Sequence, residues 1–262
     1  MANKYTEYNL YKQLLHYLRI FVNMEKKLVI IPTYNEIENI SKIIQAVFDL
    51  EGGYQVLVID DGSPDGTAGV VKSLQQVYPD RLHLVERSGK LGLGTAYLTG
   101  FKWALEAGYD FIFEMDADFS HNPDDLPRLH EAAAACGGVA IGSRYCDGIS
   151  VVNWPIGRIL MSYCASIYVK TVLGMKVHDC TAGFKCYSRQ VLEAIDLDDV
   201  RMKGYGFQIE MKYTALRLGF RLVEVPIIFV NRKLGVSKMS GGIFGEAFWG
   251  VLRLKFRRFH RK

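Results

Sequence analysis

Short apolar runs alternate with amphipathic stretches through the first half of this 262-residue chain. The pattern predicts strands at 28–31, 56–59, 82–85 and 111–115, with helices between them at 37–48, 67–77 and 95–107. Buried strands joined by helices are typical of βαβ units, in which helices cover both faces of a mostly parallel sheet. We therefore expect an α/β fold that binds its ligands at the carboxyl ends of the strands.

The alternation loosens in the second half of the chain. After a strand at 139–141, the pattern predicts a helix at 155–172, a short strand or hairpin at 181–187, a helix at 208–218 and a strand at 222–230. With 49% apolar and 23% charged residues, the chain fits one domain with one sizeable core. We place this domain at 24–241, after a helical extension at 1–23 and before an amphipathic basic helix at 242–262.

The cysteines and the hydropathy limit the cellular setting. Five cysteines without a C-x-x-C pair argue against a disulfide framework and a zinc site, and they favour a reducing compartment. No run approaches the roughly 18 consecutive apolar residues that cross a bilayer, and the N-terminus lacks the order of a secretory signal. We therefore expect a cytoplasmic protein.

Positive charge is concentrated at the C-terminal end of the chain. The formal net charge is +4, and six cations without an acid among them stand at Arg253, Lys255, Arg257, Arg258, Arg261 and Lys262. A helix through this segment would place these apolar residues on one face: Phe244, Phe248, Leu252, Phe256 and Phe259. The pattern argues against a nucleic-acid-binding body and predicts a reversible contact with an anionic membrane surface. The alternative is that the stripe packs on the domain and the charges face solvent.

Polar residues follow the first two strands, with the sequences P-T-Y-N-E at 32–36 and D-D-G-S-P-D-G at 60–66. Such residues often only cap helices, but their occurrence at two successive strand ends favours a ligand site. The G-x-G-x-x-G fingerprint is missing after the first strand, which argues against a nicotinamide oxidoreductase. A carboxylate after the second strand can accept hydrogen bonds from a base, and Tyr34 offers an aromatic wall, so a nucleotide can still bind there.

Two carboxylates, Asp116 and Asp118, follow the fourth strand. In an extended chain, residues two apart point the same way, so the two carboxylates would converge. Hard oxygen ligands suit Mg²⁺ or Mn²⁺, which takes one or two protein carboxylates and completes its shell from substrate phosphates and water. Such an ion would neutralise a diphosphate leaving group. The alternative is a pair of turn carboxylates ahead of a helix near Pro123.

Four motifs occur in the order P-x-Y-N-E, D-D-G-S-P-D-G-T, D-A-D-x-S-H and G-S-R-Y. Together they resemble the dolichol-phosphate or polyprenyl-phosphate mannose synthases, which are family 2 glycosyltransferases of the Rossmann-like GT-A fold. The resemblance spans about residues 25–240. It implies a metal held by Asp116 and Asp118, with the Ser120 hydroxyl or water where many relatives carry Gln. It also implies these donor contacts: Pro32, Tyr34, Glu36, Asp60, Asp61 and Lys238.

The resemblance also implies the acceptor side of the site. Arg144, Arg158 and Ser162 would bind the acceptor phosphate, and Arg232 would lie near the phosphates with Ser237 and Lys238. Planar guanidinium groups bind phosphate oxygens in pairs, although a single arginine can equally be an ordinary surface residue. Two further family-like segments contain Asp179, Thr181, Gly183 and Phe184, and Phe207, Gln208 and Glu210. For Gln208 and Glu210, contact with sugar hydroxyls and a structural part remain equally open.

By this resemblance, the chain transfers mannose from GDP-mannose to a membrane polyprenyl or dolichyl phosphate, with inversion at the anomeric carbon. A phosphate monoester is already largely dianionic at neutral pH and needs no general base, so His121 and His178 are interpreted as structural. The enzyme would lie peripherally on the cytosolic face of a membrane, either alone or beside a membrane-spanning partner subunit. The alternatives are transfer of glucose from UDP-glucose and a catalytically silent subunit that binds nucleotide sugars.

Overall fold

The computed structural model describes residues 25–202, 204–231 and 243–262, without the side chains of 205 and 243–247. The helix expected at 1–23 lies outside this range, as do Arg232, Ser237 and Lys238. The first half contains β1 (Lys27–Thr33), α1 (Ile40–Phe48), β2 (Tyr54–Asp60), α2 (Thr67–Gln75), β3 (Leu82–Glu86), α3 (Leu93–Glu106) and β4 (Phe111–Glu114). A 3-10 turn at Pro123–Asp125 then leads into α4 (Leu126–Cys136).

The second half continues with β5 (Val139–Ser143), β6 (Val151–Val152), α5 (Ile156–Leu173), β7 (Lys185–Ser188), α6 (Arg189–Ala194), α7 (Gly204–Arg217), β8 (Leu222–Pro226), β9 (Phe229–Val230) and α8 (Ile243–Lys255). Seven strands of the described residues form one sheet in the order β3-β2-β1-β4-β7-β5-β8. All neighbours in this sheet are parallel except β7, which runs antiparallel to both β4 and β5.

Two apolar cores lie on opposite faces of the sheet. Leu28 and Ile30 of β1 point into one core, while Val29 and Ile31 point into the other. This alternation follows from the pleat, which sends successive side chains to opposite faces, and helices cover both faces. The expected α/β fold, with a mostly parallel sheet between helices, is thereby confirmed.

The predicted strand at 222–230 divides into two strands that belong to different sheets. β8 ends at Pro226, and β9 pairs in parallel with β6 in a small two-stranded sheet. Proline has no N–H to continue a strand ladder, which explains the break. The segment at 181–187 also differs from expectation, because only Lys185–Ser188 is a strand and it lies inside the main sheet.

Helix α5 corrects the expectation that no segment is apolar enough to cross a bilayer. It has 18 residues and a mean hydropathy of 1.2, so its length and composition alone would allow it to span one. Arg158, Ser162 and Lys170 interrupt the apolar run and hide this property from a search for consecutive apolar residues. The helix remains apolar on average despite them.

The C-terminal helix α8 is shorter than predicted, since it ends at Lys255. Beyond it the chain turns back onto α7. The ring of Phe259 packs edge-on against Tyr213, and the Arg261 guanidinium donates to the Leu218 carbonyl at 2.8 Å. Arg257 forms ion pairs with Glu210 and Asp199. These contacts favour, for the last residues, the alternative in which the tail packs on the domain.

Candidate active site

The ends of β1 and β2 are joined through Asp60. Its buried carboxylate accepts hydrogen bonds from the Thr33 hydroxyl at 2.8 Å and from the Ser63 amide and hydroxyl at 2.9 and 2.6 Å. These bonds hold the two strand ends together. The geometry therefore gives Asp60 a structural part, and its contact with the donor stays a prediction.

Asp61, the next residue, forms an ion pair that the sequence analysis missed. Arg87 approaches the Asp61 Oδ1 atom with Nε at 2.7 Å and Nη2 at 2.6 Å, and both side chains are nearly buried. Arg87 also donates to the Thr95 hydroxyl at 2.9 Å, in the first turn of α3. Because Arg87 directly follows β3, the strand-end rule applied to the third strand would have found it.

Tyr34 and Glu36 lie in the turn after β1, and Pro32 is the second-last residue of that strand. The Tyr34 ring is half-buried, and the Lys90 ammonium lies 5.3 Å from its centre. The Glu36 amide donates to the Thr67 hydroxyl at 3.1 Å, which ties this turn to the start of α2. The turns after β1 and β2 thus form one surface with an aromatic ring and a cation beside it, as expected for a nucleotide site.

Asp116 and Asp118 lie after β4 at the same edge of the sheet, but in a turn and not in an extended strand. The turn includes Phe119, which has a φ of 58°, and it is closed by the Ser120 amide, which donates to Asp118 Oδ1 at 3.0 Å. The premise of period-two alternation is therefore wrong. Turn geometry instead keeps both carboxylates at this edge, with Asp118 buried and Asp116 partly exposed.

The chemistry of this turn fits a hard divalent cation. No group of three His, Cys, Asp or Glu side chains that could hold a metal occurs within the residues that the structure describes. Mg²⁺ and Mn²⁺ can nevertheless bind through one or two carboxylates when substrate phosphates supply the remaining ligands. The pair at Asp116 and Asp118 offers this incomplete set of oxygen ligands, and Ser120 is buried beside it.

A tyrosine that the sequence analysis also missed lies beneath the two carboxylates. The hydroxyl of Tyr97, in α3, is buried and makes no hydrogen bond of ordinary geometry. Burial, followed by the negative charge of Asp116, raises the pKa of Tyr97, so the hydroxyl keeps its proton. The Tyr97 hydroxyl can therefore donate a hydrogen bond toward the carboxylates. Its surroundings agree with a concentration of negative charge at this end of β4.

His121 holds the same turn through a hydrogen bond to its backbone. Its Nδ1 atom accepts a hydrogen bond from the Asp116 amide at 3.2 Å, and its ring stacks on Phe184 at 4.8 Å. Burial lowers the pKa of His121 to about 4, against the opposing effect of Asp118. A neutral ring that accepts a backbone proton agrees with the structural part expected for this histidine.

Arg144, at the end of β5, is bound by a carboxylate of the chain itself. Its Nε and Nη2 atoms each donate to Asp179 at 2.6 Å, and Nη2 also donates to the Thr181 hydroxyl at 2.7 Å. Although burial acts to raise it, the Arg144 guanidinium holds the pKa of Asp179 below its usual range. The two parallel N–H groups expected to bind phosphate thus bind Asp179, which compensates the charge of Arg144 and fixes the orientation of its guanidinium group.

Arg158 and Ser162, in α5, lie on the same side of the site as Arg144. The guanidinium groups of Arg158 and Arg144 are 4.0 and 5.5 Å from the Trp154 ring. Arg158 donates to the Asn231 side chain at 3.1 Å, and the Ser162 hydroxyl accepts a hydrogen bond from Tyr145 at 2.8 Å. The fold therefore brings the predicted acceptor residues of the described part of the chain together, with the two arginines around the Trp154 indole and Ser162 on Tyr145 beside Arg144.

Gln208 and Glu210 both bind groups of the chain itself, which favours the structural part among their two open roles. Gln208 is buried, donates to Glu114 at 2.7 Å and binds Lys185, which itself lies 3.1 Å from Glu114. Glu210 accepts the Met202 amide at 2.7 Å and pairs with Arg257. Likewise, His178 donates its amide to Glu224 at 2.8 Å, outside the cluster at Trp154.

Comparisons with known proteins identify the family of the chain. The model of Glycosyl transferase family 2 matches residues 28–196. A polyprenol monophosphomannose synthase of Mycolicibacterium smegmatis is 49% identical over 232 residues, which cover 87% of this chain and 88% of that one. An undecaprenyl-phosphate mannosyltransferase of Micrococcus luteus is 49% identical over 226 residues, which cover 86% and 92%.

Among solved structures, the chain is similar in fold to glucosyl-3-phosphoglycerate synthase from Mycobacterium tuberculosis. That crystal structure contains Mn²⁺, uridine diphosphate and glucosyl-3-phosphoglycerate. The TM-score is 0.64 at 19% identity, and the match covers 88% of this chain and 80% of the other. At this identity the likeness establishes the GT-A fold alone.

Proposed function

The chain belongs to glycosyl transferase family 2, and we propose that it transfers mannose from GDP-mannose to a membrane polyprenyl phosphate, such as a dolichyl phosphate, with inversion at the anomeric carbon. Two relatives with 49% identity over most of their length are named for the attachment of mannose to polyprenyl phosphates, which supports the sugar and the class of acceptor. The single structural observation that carries the proposal is that a pair of carboxylates follows β4 and a pair of arginines lies around Trp154 after β5, at the same edge of the sheet.

The donor would lie over the turns after β1, β2 and β4. Pro32, Tyr34 and Glu36 would contact the nucleoside, and Asp61 would accept hydrogen bonds from the base while Arg87 holds its carboxylate in place. Asp116 and Asp118, with Ser120, would hold Mg²⁺ or Mn²⁺. That ion supplies charge neutralisation for the diphosphate leaving group when it is bound.

The acceptor phosphate would lie between this pair and the Trp154 cluster. A dianionic phosphate needs no proton removed, so the chain has to align two anions and offset their repulsion. Arg144 and Arg158 would do so through guanidinium groups that Asp179 and Trp154 hold in place, and Ser162 would contact the phosphate. In this proposal Arg232 and Lys238, outside the described residues, also contact the phosphates.

The enzyme would work on the cytosolic face of a membrane, where its acceptor is anchored, either alone or with a membrane-spanning partner subunit. The test is transfer by the purified protein with Mg²⁺ or Mn²⁺, a short polyprenyl phosphate, and labelled GDP-mannose or UDP-glucose in separate reactions. We expect transfer from GDP-mannose. Transfer from UDP-glucose alone would contradict the choice of donor, and transfer from neither would contradict the function.

The metal assignment is tested by Asp116→Asn and Asp118→Asn. Each change keeps the shape of the side chain but removes a charge from the site, so we expect transfer to fall by about a hundredfold or more while the thermal unfolding temperature changes little. Asp124→Asn, in the following 3-10 turn, is the matched control and should transfer normally. Near-normal activity in both site variants would refute the metal site.

A further inference from the structure

The inner side of α7 carries two polar residues one helical turn apart, Gln208 and Lys212. They are 2% and 0% exposed. Residues four apart on a helix share a face, so the two side chains leave α7 on the same side. Because burying polar side chains costs free energy unless they are bound, their partners show what this side of α7 does.

Lys212 holds the loop that joins α5 to β7. Its ammonium donates to the Ala182 carbonyl at 2.7 Å. The loop spans residues 174–184 and contains no helix or strand, so side chains of other elements have to bind its backbone. Earlier in the loop, the Asp179 amide donates to Glu224 of β8 at 2.9 Å. The two contacts fix the segment between them, residues 179–182.

The 179–182 segment carries the partners of Arg144. The Asp179 carboxylate binds the Arg144 guanidinium through both of its oxygens, and the Thr181 hydroxyl accepts a hydrogen bond from Nη2 at 2.7 Å. A planar guanidinium recognises phosphate by its orientation as well as by its charge. A shift of the 179–182 segment would therefore turn Arg144 away from the proposed acceptor phosphate.

The charge of Lys212 supports the same ion pair. Burial acts to raise the pKa of Asp179, but Arg144, and after it Lys212, keep that pKa below its usual range. The carboxylate therefore stays ionised, as its pair with Arg144 requires. A methionine would fill the space of Lys212 without the cost of a buried ammonium. Packing alone does not explain the lysine, which favours a part in the site.

Gln208 binds the other half of the site. Its amide donates to Glu114 at 2.7 Å, and its oxygen accepts a hydrogen bond from Lys185. Glu114 is the last residue of β4 and lies two residues before Asp116. The polar side of α7 thus reaches both halves of the site, and its contact with the acceptor half is Lys212.

We propose that Lys212 is a positioning residue for the acceptor phosphate, which acts on Arg144 through the 179–182 segment. Lys212 itself does not touch the substrate. The inference deepens the proposed function and rests on it, because that function places Arg144 at the acceptor phosphate. It extends the residues that set the affinity for the acceptor to a helix of the core.

The first test is the steady-state kinetics of Lys212→Met, with farnesyl phosphate as a short acceptor and GDP-mannose as the donor. Methionine fills the space but cannot donate, so we expect the KM for farnesyl phosphate to rise about fivefold or more while the KM for GDP-mannose changes less than about twofold. An unchanged KM for farnesyl phosphate, or equal rises for both substrates, would overturn the proposal.

Tyr187→Phe is the matched control. It also removes a buried hydrogen bond, from the tyrosine hydroxyl to Glu114 at 2.8 Å, but it leaves the 179–182 segment untouched. We expect this variant to keep the KM for farnesyl phosphate of the unchanged protein. A rise as large as in Lys212→Met would show that any buried defect produces the effect, and it would refute the specific part of Lys212.

Two further variants test whether the effect passes through the Ala182 carbonyl and Asp179. Glutamine can donate to the carbonyl but is shorter than lysine, so Lys212→Gln should have a KM between the other two, and it carries the comparison if Lys212→Met does not fold. The double variant Lys212→Met, Asp179→Asn should have no higher KM than Asp179→Asn alone, since both changes release the same guanidinium. Multiplied single effects would overturn the proposal.

Calorimetry of farnesyl phosphate binding, without transfer, separates this inference from the proposed function. We expect the unchanged protein to bind farnesyl phosphate and Lys212→Met to bind it about fivefold more weakly. If the unchanged protein neither binds farnesyl phosphate nor transfers mannose to it, the proposed function fails and takes the inference with it. If the unchanged protein does both and Lys212→Met binds equally well, the function stands and the positioning by Lys212 is refuted.

Discussion

Arg144 and Asp179 are 35 residues apart in sequence and form a buried ion pair beside the proposed acceptor phosphate. We predict that Asp179→Asn raises the KM for the polyprenyl phosphate at least tenfold, because the guanidinium loses the two bonds that hold it in place. Removing one partner of a buried pair also costs about 3 kcal/mol in the free energy of unfolding. Steady-state kinetics and urea unfolding measure the two effects.

The partly exposed pair of Arg189 and Glu193 provides the matched control. Their side chains lie 2.5 Å apart at the surface, so Glu193→Gln should cost less than about 1 kcal/mol and leave the acceptor KM unchanged. If Asp179→Asn changes the stability but not the KM for the polyprenyl phosphate or for the donor, the carboxylate only supports the fold and does not position Arg144.

At the scale of single residues, the sequence predicts where site residues lie but not what they bind. Asp61, Asp116 and Arg144 each follow a strand, and parallel strands end at one edge, so their convergence was predictable. Their partners were not. Asp179 binds Arg144 across a chain reversal, and that contact depends on the path of the backbone between them.

At the scale of elements, α7 carries a buried lysine whose charged form lowers the stability of the folded state. Lys212 is fully buried, and its ammonium donates to the Ala182 carbonyl at 2.7 Å. Burial, with a smaller contribution from Lys185, lowers the pKa of Lys212 from 10.5 to about 7. Above pH 7 the folded protein therefore releases this proton while the unfolded chain still holds it.

We predict that Lys212 makes the protein more stable as the pH rises above 7. The unfolded state binds more protons between the two pKa values, so the free energy of unfolding gains about 2 kcal/mol from this group between about pH 7 and 9. Lys212→Met should lack that increment, while Lys170→Met, exposed on α5, should keep it. Urea unfolding at both pH values checks this, and parallel pH profiles for all three proteins would contradict it.

Periodicity predicts elements better than it predicts their surroundings. β1 to β4 and α1 to α3 were predictable because apolar spacing distinguishes buried strands from amphipathic helices. The direction of β7 was not predictable, since its sequence is equally compatible with parallel and with antiparallel neighbours. Nor was the exposed side of α5, because spacing shows which side of a helix is apolar and not what lies against it.

For the molecule as a whole, the chain end joins the body through Arg257. It pairs with Glu210, which is buried in α7, and with Asp199 in the preceding loop. We predict that Arg257→Gln lowers the free energy of unfolding by about 2 kcal/mol, because it leaves a buried carboxylate without its cation. Arg258→Gln changes an exposed neighbour and should stay within about 0.5 kcal/mol. Equal values in urea unfolding would show that the tail contact is not stabilising.

The position of β7 sets the order in which the molecule can be completed during synthesis. β1 to β4 pair with one another and can form once residue 114 has left the ribosome. β5 cannot join them then, since its place in the sheet is beside β7, which comes more than forty residues later. A nascent chain that ends between β5 and β7 would therefore have a folded N-terminal half, the proposed nucleotide-binding part, whose sheet has an open edge at β4. That stage is where a chaperone would be needed most.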